Sequence, residues 1–349
     1  MSAQPSSPPR PWVEAYAPAT VSNLGPGFDC LGLAVHGPGD TVRARRREQP
    51  GVLINKISGD NGRLPRDASN TACVAVTALL ERLGLADRVG VELELDKGLP
   101  LGSGLGSSGA SACAALIASA TALGLQVGNE ALIDAARKGE AVACGSPHPD
   151  NVAPAILGGI VLIVSTSLGR GPYSASGLRA GRLRQSEQLG AATDPLRVVS
   201  LPVPESLRLA IYTPGCEVKT ADARAVLPER VSLEATVRQS ARLGLLIHAL
   251  HTGDLALLGE AIADDIVEPA RAHLIPGFMD AKINALEAGA LACSISGAGP
   301  TCFALADSDE RAAALLEILD ETFTLAGVAG VGRVERVGPG ARVTSPHLH

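Results

Sequence analysis

Aromatic residues make up only 2% of the 349-residue chain, with one Trp, three Tyr and four Phe. The core must therefore be aliphatic, and the stacking platforms used to hold single-stranded nucleic acids are missing. Basic residues are not in excess: 30 Lys and Arg against 36 Asp and Glu leave a formal charge of −6. That lacks the positive footprint of a nucleic-acid protein, so no nucleic-acid partner is expected. The seven cysteines (30, 73, 113, 144, 216, 293 and 302) are an odd number and form no CxxC pair, which argues against a zinc site or disulfide framework and predicts buried thiols in a reducing compartment. The longest strongly apolar stretch, AILGGIVLIV at 155–164, is about half a transmembrane helix, so no membrane partner is expected. MSAQPSSPPRPW at the start has prolines where a secretion signal needs an apolar run. The expectation is a cytoplasmic protein with a disordered tail over 1–11.

What is there is patterned. SNTACVAVTALLERLG (69–84) opens with an N-cap candidate and keeps helical spacing to Gly84, and VGVELELD (89–96) alternates as a half-buried strand does. TVRARRRE (41–48) reads as a strand end on a solvated face. A helix of small residues is expected from about Ser107 to Leu123, another over 130–145, then a break at SPHPDN and the strand IVLIVS. Residues 168–195, rich in Gly, Ser and Arg, read as a flexible insertion between halves at 12–167 and 196–340. In the second half, strands LRLAIYTP, ACSIS, CFALA and GRVERV alternate with helical segments near 233–250, 254–265, 278–288 and 309–321. That order predicts an α+β module, a sheet with helices on one face.

The stretch LPLGSGLGSSGAS at 99–111 is built to hold an anion. Amides at a helix start stabilise phosphate without side-chain charge, and glycines let it come close. A P-loop fails because no lysine follows Gly106 or Gly109. GxGxxG is met by Gly104, Gly106 and Gly109, but a dinucleotide fold turns tightly where this chain has Pro100 and a five-residue gap. HRD and DFG are absent, which removes the protein kinases. A purely structural Gly/Ser turn stays open on these residues alone. HxxH at His248 and His251 lacks a third ligand nearby and is read as part of a leucine-rich helix.

LPLGSGLGSSGA resembles the phosphate-binding motif of the GHMP small-molecule kinases, APATVSNLGPGFDCLGLAV their first motif, and SISGAGPTCFAL their third, all in the family's order. The resemblance runs from about Ala15 to Val337 and fails over 168–195. Within the family, NLGPGFDCLG, HPDNVAPAILGG and EPARAHLIPG are most similar to members that phosphorylate the amino acid L-homoserine; HPDN departs mildly from the usual HADN. The implied fold is α+β with two domains, ribosomal-protein-S5-like then ferredoxin-like, and the implied assembly a homodimer. The implied reaction is phosphoryl transfer from ATP, with Mg²⁺, to homoserine. A mevalonate-type kinase, or a silent ATP-binding homologue, is the alternative.

The resemblance also implies roles. ATP would lie on Pro100, Leu101, Gly102, Ser103, Gly104, Leu105, Gly106, Ser107 and Ser108, with Lys97 reaching a phosphate and Asn70 the adenine edge; Ser108 and Glu140 would hold Mg²⁺. Arg224 and Arg271 would take the acceptor carboxylate, since a guanidinium matches its geometry, with Thr220 on the same wall. Asn23 and Asp29 frame a Gly-Pro-Gly turn and by themselves read as turn caps; Asn23 would hold the hydroxyl, and Asp29 would meet the ammonium or the hydroxyl. His148 and Asn151 would complete the pocket. Asn151 stands where other members place a basic aspartate, so direct attack by the hydroxyl is expected, with Asn151 and Asn23 orienting it and Asp150 as the rival base.

Overall fold

β1 (Val13–Ser22) and β2 (Leu31–Arg47) pair antiparallel and form the spine of the first sheet. The structure is a computed structural model describing residues 11–145, 147–165 and 196–344; the tail at 1–10 and the segment at 166–195, and with it the expected insertion, lie outside the described residues. β3 (Gly51–Ser58) runs parallel to β4 (Gly90–Asp96), and β4 lies against β2. β4 alternates as its sequence requires. Val91, Leu93 and Leu95 are buried, each worth about 1.5–3 kcal/mol, while Glu92 and Glu94 turn outward to Arg45 and Arg43.

The inner face is covered by α1 (Thr71–Arg82), α2 (Ser107–Ala122), α3 (Asn129–Cys144) and α4 (Pro149–Leu157). α2 passes through the middle of this layer. Ala110, Ala112, Cys113, Ala114, Ala115 and Ala118 on it are all fully buried, because small side chains let neighbouring backbones approach from every side. α4 was not expected, since SPHPDN read as a break; Pro149 sits in the first turn, where a missing N–H costs nothing. β5 (Ile160–Ser165) pairs with β2 and β6 (Leu196–Leu201) with β5. β6, grouped by sequence with the second half, thus belongs to the first sheet.

The second sheet has the order β10-β7-β9-β8, all antiparallel, from β7 (Arg208–Thr213), β8 (Ala292–Ile295), β9 (Cys302–Ala306) and β10 (Val331–Glu335). Its helices are α5 (Thr220–Ala225), α6 (Leu233–Thr252), α7 (Leu255–Ala261), α8 (Val267–Arg271), α9 (Phe278–Glu287) and α10 (Asp309–Leu325). The expectation of helices on one face is corrected. Ala210, Tyr212, Cys302 and Ala304 share a core with residues of α9 and α10, whereas Leu209, Ile211, Phe303 and Leu305 join the larger core with Leu246, Leu250 and Leu258 of α6 and α7. Strands apolar at every position, as LAIY and CFALA are, bury both faces. Finally β11 (Arg342–Val343) returns to pair with β1. Cys30, Cys73, Cys113, Cys216, Cys293 and Cys302 are free, four of them buried, and among the described residues no helix is long and apolar enough to cross a membrane.

Candidate active site

A cavity of about 910 Å³ opens between the two sheets' helices, lined by the glycine loop, the start of α2, the Asn23–Asp29 turn, the start of α4 and α5. Gly102, Gly104 and Gly106 are all left-handed (φ 65°, 81° and 64°). A Cβ on Gly106 would come to 2.1 Å from Thr20 Oγ1, and one on Gly104 to 2.5 Å from the Ser296 carbonyl oxygen. Both the dihedral and the close approach require glycine here. Gly106 is the N-cap of α2, and neither a side-chain cap nor an acidic residue occupies that first turn, so the helix start is left to an anion. The loop is held by Thr20 N–H on the Leu105 carbonyl (3.0 Å), Ser296 Oγ on that of Gly104 (2.7 Å) and Thr301 N–H on that of Ser103 (3.1 Å). Leu101, Gly102, Ser103, Gly104, Gly106, Ser107 and Ser108 face the cavity; Pro100 and Leu105, expected with them, do not. The Leu105 side chain is buried, and the Pro100 carbonyl accepts from Ser103.

On the first turn of α2, Ser108 Oγ donates to Glu140 Oε2 at 2.5 Å, and Glu140 on α3 is buried. The two residues expected to share a divalent ion therefore present oxygen atoms side by side on the cavity wall. Lys97 is different. Its buried ammonium donates to Asp40, to the Ser107 carbonyl and hydroxyl (2.9 and 2.7 Å) and to Ser111 Oγ (2.9 Å), while Asp40 also takes the Gly98 and Leu99 amides (3.1 Å each). Burial pushes the Lys97 ammonium down, and Asp40 counteracts this. Lys97, expected to reach a phosphate, lines the cavity with its ammonium already engaged by Asp40 and two serines of α2. Asn70 also works within the chain. Its Oδ1 caps α1 through Ala72 N–H (3.0 Å) and its Nδ2 donates to the Pro65 carbonyl (2.7 Å), leaving one N–H and one lone pair for a base.

The other wall is charged. Arg224 Nη1 and Nη2 each donate to one Asp29 oxygen at 2.8 Å, a bidentate pair, and Nη2 lies 3.1 Å from His148 Nδ1. Arg271, buried, donates through Nε to the Ala223 carbonyl (3.0 Å) and through Nη1 to that of Gly297 (2.8 Å). Both guanidiniums lie over the Phe28 ring, at 5.0 and 5.2 Å. Burial, then Arg224, lowers the Arg271 pKa to about 10. The same two causes lower His148 to about 4, so its ring is neutral near pH 7. Asp150 is buried, and desolvation followed by the Asp29 charge raises it to about 7. His148 Nε2, Asp150 Oδ1 and Arg224 Nε have no hydrogen-bond partner among the described residues. Asp29, His148 and Asp150 offer ligand atoms within 4.8 Å of one another, but a guanidinium closes the Asp29 carboxylate.

The turn carrying Asp29 is strained: Asn23, Leu24 and Asp29 have φ of 76°, 47° and 58°, an uncommon region for residues with a Cβ. Asn23 maintains it, accepting from Asp29 N–H (3.2 Å) and donating to the Gly297 carbonyl (3.0 Å). Asn23, expected to hold a hydroxyl, is thus engaged at both ends of its amide in shaping the turn. Asn151 lies where the walls meet, its Oδ1 3.4 Å from Thr20 Oγ1, and Thr220 faces the cavity at the start of α5. Sequence reasoning missed Phe28, Asp40 and Ser111, whose partners are distant in the chain. His251 Nδ1 lies 2.9 Å from the Ile247 carbonyl, as a residue inside a helix does.

The family models for the GHMP kinases' N-terminal and C-terminal domains match residues 70–159 and 246–325. The chain belongs to the GHMP kinase family, ATP-dependent phosphotransferases with an alcohol acceptor. Within that family it falls with the homoserine kinases. It is 41% identical to homoserine kinase of Chlorobium phaeobacteroides over 321 residues, 89% of this chain and 92% of the relative. It is also 41% identical to that of Arabidopsis thaliana, over 93% of this chain and 83% of the relative. The crystal structure of homoserine kinase from Cytophaga hutchinsonii superimposes with a TM-score of 0.83 at 41% identity, covering 99% of this chain and all of the other.

Proposed function

We propose that the protein transfers the γ-phosphoryl group of ATP to the side-chain hydroxyl of L-homoserine, giving O-phospho-L-homoserine and ADP, a step of threonine synthesis. The observation that carries this reading is one cavity joining the uncapped start of α2 to a wall that pairs a carboxylate with a guanidinium. A zwitterionic amino acid matches that pair group for group: its ammonium takes Asp29, its carboxylate takes Arg224 and Arg271. Each charge-assisted bond is worth about 1.5–3 kcal/mol. A mevalonate-type acceptor has a carboxylate but no ammonium and would leave Asp29 unmatched.

The triphosphate lies on the amides from Gly102 to Ser108. Ser108 and Glu140 suit a hard divalent ion by their donor type and adjacency, and would hold Mg²⁺, which when bound neutralises phosphate charge. Phosphoryl transfer needs position more than covalent chemistry. Asn151, between loop and wall, orients the hydroxyl. Its amide takes no proton, so the hydroxyl oxygen bonds to the γ phosphorus as the β–γ bridge breaks and its proton passes to a γ-phosphoryl oxygen. His148, neutral, leaves the Arg224 charge to the acceptor. A cytoplasmic homodimer completes the reading, in keeping with the free thiols and tested by light scattering of the native chain. The activity is tested by ADP release from Mg-ATP with L-homoserine, D-homoserine, L-threonine and mevalonate assayed separately. Turnover preferring L-homoserine is expected; turnover with mevalonate alone would overturn the acceptor assignment.

A further inference from the structure

The glycine loop carries no lysine, and the lysine nearest to it in the chain, Lys97, is engaged by Asp40, Ser107 and Ser111. A triphosphate laid on that loop adds negative charge to a cavity already lined by Asp29, Glu140 and Asp150. Five cationic side chains line the same cavity: Arg63, Lys97, Lys219, Arg224 and Arg271. Four are engaged. Arg63 Nη2 donates to both Glu217 oxygens at 2.9 and 3.1 Å, Lys97 meets Asp40, Ser107 and Ser111, Arg224 closes on Asp29, and Arg271 donates to two carbonyls.

Lys219 alone among these five has no ion-pair or hydrogen-bond partner for its ammonium among the described residues, and it is exposed. Its place in the chain is specific. Two residues before it, Glu217 Oε1 lies where a Cβ on Gly102 would approach to 3.0 Å, so the segment starts against the glycine loop. Five residues after it, Arg224 grips Asp29. The backbone bearing Lys219 therefore runs from the glycine loop to the wall that carries Asp29.

We propose that Lys219 is a catalytic residue whose ammonium meets the γ-phosphoryl oxygens during transfer, supplying from the second half of the chain the point charge that the loop itself lacks. This rests on the kinase reading above. As the homoserine oxygen bonds to the γ phosphorus, the bond to the β–γ bridging oxygen breaks, its electron pair leaves with ADP, and the hydroxyl proton goes to a γ-phosphoryl oxygen. Lys219 keeps its protons throughout and stabilises the moving charge, as fixed cations do at transferring phosphoryl groups.

The test compares Lys219→Gln and Lys219→Arg with the wild-type chain by steady-state kinetics and by calorimetric affinities for ATP and ADP. Lys219→Gln is expected to lower kcat roughly 10²-fold, to weaken ATP more than ADP and to leave the KM for homoserine unchanged, with Lys219→Arg recovering part of the loss. An unchanged kcat, an equal loss of ATP and ADP affinity, or a change confined to the homoserine KM would each overturn it. Thermal unfolding of each variant checks the fold, and Lys219→Met replaces the Gln variant if that one is unfolded. Wild type inactive on homoserine would refute the acceptor assignment alone, because the ATP-against-ADP comparison still reads the lysine's role. Wild type active with the Gln variant unchanged would refute the lysine's role alone.

Discussion

The two walls of the cavity solve opposite problems. Behind the phosphate loop the buried charges are answered from within the chain: Lys97 by Asp40, Ser107 and Ser111, and Asp40 in turn by two amides. What that side offers outward is backbone N–H, which accepts an anion of any shape that fits. On the acceptor side, His148 Nε2, Asp150 Oδ1 and Arg224 Nε are buried without partners, and three residues with side chains hold left-handed backbone. Unmet groups and strain of this kind cost stability and persist where a ligand is recognised. On the proposed reading, the nucleotide, common to many kinases, would be held by the settled wall, and the acceptor, which distinguishes one kinase from another, by the unsettled one.

That contrast can be broken most forcefully at Asp40. Asp40→Ala leaves a buried ammonium without its counter-charge and should cost about 3–5 kcal/mol in urea-induced unfolding. A loss no larger than that of a typical surface substitution would show that the serines alone support Lys97. Asn151→Ala addresses the seam between the walls. It should reduce kcat by roughly 10²-fold while ATP affinity, measured by calorimetry, stays at the wild-type value; a matching loss of ATP affinity would move Asn151 to the phosphate side. The smallest effect concerns pH. The Asp150 carboxyl is raised to about 7 in the native chain and returns to about 3.9 on unfolding, so the native state holds the extra proton between those values. Its contribution to stability falls as pH rises through that window. Asp150→Asn should therefore gain on wild type from pH 5 to pH 8. Parallel stability curves would mean that the carboxylate is ionised throughout.

The glycine loop was legible because its chemistry is backbone chemistry: spacing of glycines before a run of small helix formers is enough to place amides at a helix start. The partnership of Ser108 with Glu140 was readable only through family resemblance, since 32 residues separate them. The partners of Lys97 lay beyond local reading for a physical reason: its position two residues before Leu99 brings its stem near the loop, but its counter-charge, Asp40, is 57 residues away. Asn70 was placed at the adenine edge by resemblance alone, and the local demand of the α1 start, which its Oδ1 caps through Ala72 N–H, was not assigned to it. The bidentate grip of Arg224 on Asp29 joins residues 195 apart, beyond the reach of any local pattern. Two-faced burial of the second sheet was visible in LAIY and CFALA, whose apolar residues do not alternate, but the order of helices pointed to a single covered face.

The pairing of β11 with β1 has a temporal side. Ala15 and Tyr16 meet Val343 and Arg342, and Thr344 N–H reaches the Glu14 carbonyl at 2.9 Å, so the first sheet is bordered by residues made more than three hundred positions apart. A ribosome releases the strands of its spine early and this border last, after the whole second sheet has emerged. During synthesis β1 waits with an unpaired edge, the kind that invites pairing with another chain. The second module is in effect threaded into the first, and the first is sealed only when its late strand arrives.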